Sequence, residues 1–426
     1  MRGLTQAHWR IQHFRSRACP TTTETVRQAT GLPGRHLDAW LMPPEVCRRV
    51  FARGCCGVDL ALVEGSLEDG STRLNREHYA RPGSLRPLSA SLDLPTIALI
   101  SCTRWADLHL DGFSTSADAF LIDGLEDPED FPRIASAVKM MTKKPVIGAV
   151  EALPLARRAL AEIPGNGPVD PDLIDALSRS FLRFADLPAL KHLAHSRSFP
   201  IDPCEPRPAD FSRFRVAYAQ DEAFGGYFPD TLEMLEALGA DLVEFSPLRS
   251  ENLPDSVDLV MIGCGFADQY ADALAANVSL TSALRSHVYC GRRIYSEGGG
   301  TAYLGRSMRI EGRDVPGVGI LPLEAELRGL EPAFEPVSCE LNRDTWLAPK
   351  GSVVRGYHSN RWVVRPSTEL CHAAAGFGSL SDVGDFFYHH HAVGSLVHLH
   401  LAALPQVVAA FVGPHQPSLT LRQSGR

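Results

Sequence analysis

The stretch Arg293-Ile294-Tyr295-Ser296-Glu297-Gly298-Gly299-Gly300-Thr301-Ala302-Tyr303-Leu304-Gly305 governs how the rest of the chain is read. Arg293 to Tyr295 reads as a short strand, the glycines pave a sharp turn, and a helix starts after them. A strand, a sharp turn and a helix in that order form the shape on which α/β hydrolytic enzymes expose a nucleophile. The nucleophile's place is held by Gly298, which has no side chain. Upstream, Phe214 to Tyr218, Asp241 to Phe245 and Leu259 to Gly263 read as further strands. A helix from about Pro229 to Leu238 separates the first two, and Gly239 closes it in the expected C′ position.

The N-terminal half shows the same alternation. Val58 to Glu64, Thr96 to Ile100, Ala119 to Ile122 and Val146 to Val150 read as buried strands, with helical patterns at Pro44 to Arg53 and Phe131 to Met141. Short apolar strands alternating with helices indicate a parallel sheet covered on both faces. At 426 residues the chain is too long for one ordinary core, and two domains of about 200 residues each are expected. Ser196 to Phe211 contains four prolines and little apolar periodicity, so a stiff linker is placed at 198–212, between domains at 1–197 and 213–426.

Bulk properties exclude several classes. Hydrophobic residues make up 44% and charged residues 22%, as in an ordinary soluble globular protein. A formal charge of −8 with no basic stripe argues against binding nucleic acid. No apolar run approaches the ~20 residues of a membrane helix, and the first residues carry no signal-peptide pattern. The ten cysteines are irregularly spaced without a Cys-x-x-Cys pair, which suits free thiols in a reducing cytoplasm.

The glycine turn resembles the Ala-Glu-Cys-Gly-Gly turn of the class I glutamine amidotransferase domain in the cobyrinic acid a,c-diamide synthase family. Other segments extend the resemblance. They include Ala217 to Phe224, Leu232 to Ala240, Phe245-Ser246-Pro247-Leu248 and Gly317 to Pro322. Gly263-Cys264-Gly265-Phe266-Ala267-Asp268 stands where the family has a Gly-Gly-Gly-Tyr-Pro-Glu loop supplying backbone N–H groups near the oxyanion. Ser395 to Ala402 resembles its Tyr-x-His-x-His-Phe segment, which puts the catalytic histidine at His398 with His400 beside it. The resemblance therefore implies an oxyanion loop of Gly263, Cys264, Gly265 and Gly299. It also implies a nucleophile position, Gly298, from which the cysteine has been lost.

A glutaminase needs a thiolate beside a histidine, so that one acyl transfer becomes two easier steps through a thioester. Without that thiol a silent glutaminase half is expected, with Cys264 on its loop as a conceivable substitute. In the N-terminal half, Ala29 to Met42 is similar to the family's Ala-Thr-Gly-Arg-Pro-Ser-x-Asn-Leu-Asp-x-Trp-Met pattern and includes Asp38. Asp59 to Gly70 resembles the strand and loop facing the metal–nucleotide site, which suggests Glu64 and Asp69 as contacts of Mg²⁺ and ATP. A carboxylate after a buried strand suits Mg²⁺, and it equally suits a cap or a loop.

Two departures bear on ATP. The sequence has no Gly-x-x-x-x-Gly-Lys-[Ser/Thr] P-loop, and on the family's pattern the chain begins downstream of that element. The family's Gly-Pro-Asp-Tyr-Ile-Asp-Pro run falls on Arg17-Ala18-Cys19-Pro20-Thr21-Thr22-Thr23, without its aspartates.

Arg355-Gly356-Tyr357-His358 partly resembles an Arg-Gly-His-Glu-Phe-His segment of the family, which places Arg355 and His358, with Asp38, toward a substrate cleft. His389, His390 and His391, with His358, His372, His398 and His400, form a histidine-rich region. A His-x-His pair on a strand turns both rings to one face, a start for a transition-metal site. No carboxylate or cysteine accompanies them at ligand-like spacing, so no metal site is assigned.

The expected fold is two doubly wound α/β domains, one dethiobiotin-synthetase-like and one amidotransferase-like. The implied reaction is ATP-dependent amidation of corrinoid side-chain carboxylates in cobalamin biosynthesis, with glutamine or ammonia as nitrogen source. A corrinoid or related tetrapyrrole is the expected small-molecule partner, in a cytoplasmic protein that is a homodimer or pairs with an active synthase. Two alternatives stay open: a non-catalytic corrinoid-binding paralogue, and a different enzyme using the histidines with a metal.

Overall fold

The computed structural model describes residues 1–19, 23–66, 82–108, 117–162, 169–197, 199, 214–328, 333–367, 372–374 and 384–412. The chain divides into two compact units, Met1–Cys204 and Glu205–Arg426. The linker expected at 198–212 lies outside the described residues apart from position 199.

In the first unit, β1 (Ile11–Arg15) lies between β2 (Arg35–His36) and β3 (Leu60–Glu64), all parallel. A second parallel set runs β4 (Ile97–Ser101), β5 (Ala119–Leu125), β6 (Val146–Glu151). Helix Phe131–Thr142 turns Ile134, Ala137 and Val138 inward, the i, i+3, i+4 spacing of an amphipathic helix. Helix Pro44–Gly54 begins at a proline, which fits the first turn because its missing N–H has no intrahelical partner there.

Two strands expected to be fully buried are not. Every residue of β3 is at least partly exposed, and β4 alternates, with Leu99 59% exposed. An apolar run by itself does not distinguish a strand covered on both faces from one covered on a single face.

The second unit is built on a seven-stranded sheet. Its order is β9 (Asp241–Phe245), β7 (Arg215–Ala219), β10 (Leu259–Ile262), β12 (Arg293–Glu297), β21 (Ala392–Ser395), β20 (Phe386–His389), β19 (His372–Ala374). The first five strands are parallel; β20 and β19 close the edge antiparallel. Alternate residues feed two cores, as a period of two requires. Ala217, Val260 and Ile294 enter one; Val216, Leu259, Met261 and Tyr295 enter the other.

Several smaller sheets are not separable by sequence pattern. They are β8 (Phe224–Gly226) with β11 (Cys264–Gly265), then β13 (Ser307–Ile310), β14 (Arg313–Pro316), β15 (Leu323–Leu327) and β18 (Trp362–Pro366), and lastly β16 (Phe334–Glu340), β17 (Val353–Ser359) and β22 (Val397–His398).

The chain passes from β7 outward to β9 and then returns to β10 on the other side of β7. The loops after β7 and β10 therefore diverge, which makes the carboxyl ends of these strands the place where a doubly wound sheet opens a crevice. Cys264 follows β10, and Gly298 follows β12 at the same end.

The glycine turn holds close backbone contact as well as a sharp bend. Helix Gly299–Leu304 starts so near β10 that a Cβ on Gly300 would meet the Ile262 carbonyl oxygen, with the Gly263 oxygen at 2.8 Å. Gly300→Ala is therefore expected to cost about 1–3 kcal/mol through overpacking. Urea unfolding of the variant would test this, and an unchanged midpoint would show that the helix can shift away freely.

Candidate active site at the glycine turn

Gly298 has φ 51° and ψ −115°, a left-handed conformation that glycine adopts without steric cost. Its N–H donates to the Ser395 carbonyl oxygen at 2.8 Å. Thr301 Oγ1 donates to the same oxygen at 2.9 Å and accepts the Ser395 N–H at 3.0 Å. Ser395 Oγ in turn donates to the Val397 carbonyl oxygen at 2.8 Å and accepts the Val397 N–H at 2.9 Å. These bonds tie the turn after β12 to the end of β21 and fix where His398 begins.

His398 is buried, with Nδ1 3.2 Å from Glu297 Oε2. The other oxygen of Glu297 accepts from Tyr295 Oη at 2.6 Å and from the Leu399 N–H at 3.1 Å. Glu297 thus fixes both the ring and the backbone that carries it. With Nδ1 turned to Glu297, Nε2 faces the glycine turn: a Cβ placed on Gly298 would lie 3.1 Å from His398 Cε1 and 3.5 Å from Nε2. The same point is 3.3 Å from the Cβ of Cys264.

Burial alone would lower the His398 pKa. The charge of Cys264 and its hydrogen bond to the ring outweigh burial, Glu297 adds to the effect, and the imidazole is raised to about 10. The group at the end of β12 is therefore a cationic histidine between the Glu297 carboxylate and the Cys264 sulfur.

The glycine loop is arranged differently from the expectation. The Gly263 N–H donates to Tyr227 Oη at 2.9 Å, while that hydroxyl donates to the Met261 carbonyl oxygen at 3.1 Å. Gly263 is thus already engaged, a correction to its reading as an oxyanion donor. Gly299 and Gly265 do come together, since a Cβ on Gly299 would sit 3.3 Å from the Gly265 oxygen and 3.7 Å from its nitrogen.

His400, two residues beyond His398, has its own carboxylate neighbour. It lies 3.7 Å from Asp230 Oδ2, and its ring is 4.7 Å from that of Phe228. His358 Nε2 is 3.3 Å from Asp385 Oδ1, both residues buried. Burial holds His358 below the ordinary histidine value, Asp385 opposes this, and the neighbouring His398 charge pushes the same way as burial. His389 Nδ1 is bonded to the Ile320 carbonyl oxygen at 2.9 Å. Among the described residues no group of three or more His, Cys, Asp or Glu is placed to hold a metal ion.

Residues 215–404 match the family described as CobB/CobQ-like glutamine amidotransferase domain. A cobyrinate a,c-diamide synthase of Listeria monocytogenes serovar 1/2a is 27% identical over 373 residues, covering 84% of this chain and 81% of the relative. One from Methanothermobacter thermautotrophicus is 27% identical over 406 residues, covering 90% and 88%. One from Salmonella typhimurium is 25% identical over 431 residues, covering 96% and 92%. Residues 215–404 thus resemble this amidotransferase domain, and most of the chain is similar to cobyrinate a,c-diamide synthases.

Several residues expected to face substrate or nucleotide are differently employed. Asp38 is fully buried and binds backbone: its carboxylate accepts from the Ala18 N–H at 3.1 Å and the Trp40 N–H at 2.9 Å. That is a turn brace, and it corrects the reading of Asp38 as a cleft residue. Arg355 and His358 are three apart on β17, so they point to opposite faces and do not share a cleft as expected.

Glu64 Oε2 is 3.0 Å from His13 Nε2, and Oε1 is 3.8 Å from Arg15. The His13 hydrogen bond, opposed by partial burial and helped by Arg15, holds Glu64 below the usual carboxylate range. A carboxylate already balanced by two basic side chains does not fit a Mg²⁺ ligand, and Asp69 lies outside the described residues. Of the two expected contacts, the described one, Glu64, is thus engaged within the protein, and no step is assigned to ATP or Mg²⁺.

The residue most central to this site, Glu297, stands in plain view in the turn. Sequence reasoning misses its role because a strand residue next to a bend reads as structural until its partner is known. Since the folded ring of His398 holds its proton more tightly than the unfolded chain, with an ordinary value near 6.5, its stabilisation is complete below that pH. It is lost as pH rises through about 10. Glu297→Gln removes one charge of the pair, with an expected cost of about 1.5–3 kcal/mol near neutrality. The deficit in melting temperature should be largest near pH 6 and shrink toward pH 10; a deficit flat across that range would show that Glu297 acts by packing alone.

Proposed function

We propose that this chain serves corrinoid amidation and that its second unit handles the nitrogen donor, a primary carboxamide such as glutamine. One observation supports this above the others. The buried His398–Glu297 pair stands at the carboxyl end of β12, beside a turn shaped to present a reacting group, in a region matching a glutamine amidotransferase domain. A histidine with one nitrogen held by a carboxylate has the other free to move a proton, which acyl transfer requires twice.

The corrinoid half of the reading is carried by the relatives, which are cobyrinate a,c-diamide synthases along most of this chain's length. A second reading, a non-catalytic corrinoid-binding partner of an active synthase, is favoured by the bare Gly298 and by the Glu64 carboxylate engaged with His13 and Arg15.

Titrating the chain into cobyrinate separates these from an unrelated activity. Both readings expect a saturable change in the visible absorbance bands. Spectra that stay unchanged at micromolar protein would sink the assignment to corrinoids. Where binding occurs, amide formation from cobyrinate with ammonium and ATP, read by mass spectrometry, supports the first reading; binding without product supports the second.

A further inference from the structure

The loop after β10 brings a sulfur to the place that the turn after β12 leaves bare. Cys264 is half-buried and paired across β11 and β8 with Gly226. Its thiol donates to the Gly226 carbonyl oxygen at 3.3 Å. A Cβ on Gly226 would collide with that sulfur, so the glycine makes room for it. The Cys264 Cβ lies 3.3 Å from the point a 298 side chain would start, and its sulfur is within hydrogen-bonding reach of His398. Among the other described cysteines, Cys19, Cys47, Cys102 and Cys339 are buried, and burial pushes the first two up to about 12. Of the described cysteines, Cys264 alone combines partial exposure, a histidine and an orienting carboxylate.

We infer that Cys264 is the nucleophile of this chain, working with His398 as acid–base and Glu297 as its positioning residue, from a loop other than the one that ordinarily carries the thiol. The inference rests on the reading of the second unit as a carboxamide site and deepens it.

The chemistry closes without a further reagent. The Cys264 thiolate attacks the carboxamide carbon of glutamine, forming the S–C bond. The C–N bond breaks as His398 Nε2 passes its proton to the leaving nitrogen, so ammonia departs and a thioester remains. Water then adds to the thioester carbon while His398 takes one of its protons. The C–S bond breaks, the electron pair returns to sulfur, and glutamate leaves. The sum is glutamine and water to glutamate and ammonia. Hydrogen-bonded proximity of thiol and imidazole is the geometry such a two-step transfer needs.

The test uses the full chain and 6-diazo-5-oxo-L-norleucine, a glutamine analogue that alkylates a nucleophile seated at a carboxamide site, with the adduct located by peptide mass spectrometry. A single adduct on Cys264 is expected. It should vanish in Cys264→Ser, slow at least tenfold in His398→Ala and persist in Cys290→Ser, whose cysteine is exposed elsewhere. Glutamine hydrolysis should fall about a thousandfold or more in Cys264→Ser, with a melting temperature that reports an intact fold.

The exchange variant Cys264→Gly/Gly298→Cys moves the sulfur to the turn. If the native chain is unlabelled and the exchange variant is labelled at 298, the site reading stands and the Cys264 inference falls. If neither is labelled, the carboxamide reading fails with it. An adduct on any other cysteine of the native chain also overturns the inference.

Discussion

A buried imidazole keeps its proton only if its surroundings return what water would have given it. For His398 that return comes from Glu297, whose two oxygens meet the ring, the Tyr295 hydroxyl and the Leu399 N–H. Each ion taken out of water costs several kcal/mol before compensation, so the pair can exist only where the backbone delivers all of these donors at once. The sheet does this by register. Glu297 is the last residue of β12 and stands opposite Ser395 on β21. His398 follows three residues later, after the chain has been clamped by Thr301 and Ser395.

Among its described residues the unit contains two other buried histidine–carboxylate pairs, His358 with Asp385 and His400 with Asp230. By composition the three pairs are equivalent, but their electrostatics differ. His358 feels the charge of His398 and is pushed down by it. Two neighbouring cations in a poorly hydrated region repel, so the proton resides on the ring with more negative charge around it. That ring is His398, beside which both the Glu297 carboxylate and the charge of Cys264 favour the proton. The Asp385 side is closed instead by the Cys339 thiol, which donates to Asp385 Oδ2 at 3.5 Å.

Much of the architecture is legible without coordinates. The strand expected at Asp241–Phe245 has its observed limits, and β7, β10, β12 and helix Pro229–Ala237 fall within one or two residues of expectation. Local pattern suffices for elements of this kind because each strand carries a short apolar run set off by turn residues and helices. The antiparallel edge strands and the small sheets between residues 307 and 366 are not legible. Their strands are short and partly polar, and their partners are remote in sequence. The pairing of Trp362–Pro366 with Leu323–Leu327 spans about forty positions that no window covers. In the site, His398 and the bare Gly298 can be read from the segment each occupies. The partners of Asp38, Glu64 and His400 cannot, because burial and neighbouring charge decide whether a carboxylate or an imidazole faces a ligand or a strut.

Gly298 and Cys264 belong to a single steric fact. The two backbones approach so closely that side chains starting from both positions would have Cβ atoms 3.3 Å apart, with His398 Cε1 3.1 Å from one of them. Contacts that short require a neighbour to give way, and here the neighbours are a clamped turn and a ring held by a carboxylate. A side chain added at 298 would therefore need the Cys264 loop or the His398 ring to shift by a few tenths of an ångström. Glycine at 298 and cysteine at 264 then describe an exchange of which strand end carries the reactive group, with His398, Glu297 and the backbone around them left in place. The sulfur on the β10 loop lies against the Gly226 backbone, its thiol bonded to that carbonyl oxygen. Gly226 is followed by Tyr227, whose hydroxyl accepts the Gly263 N–H, so the segment after β8 holds the loop that carries the sulfur.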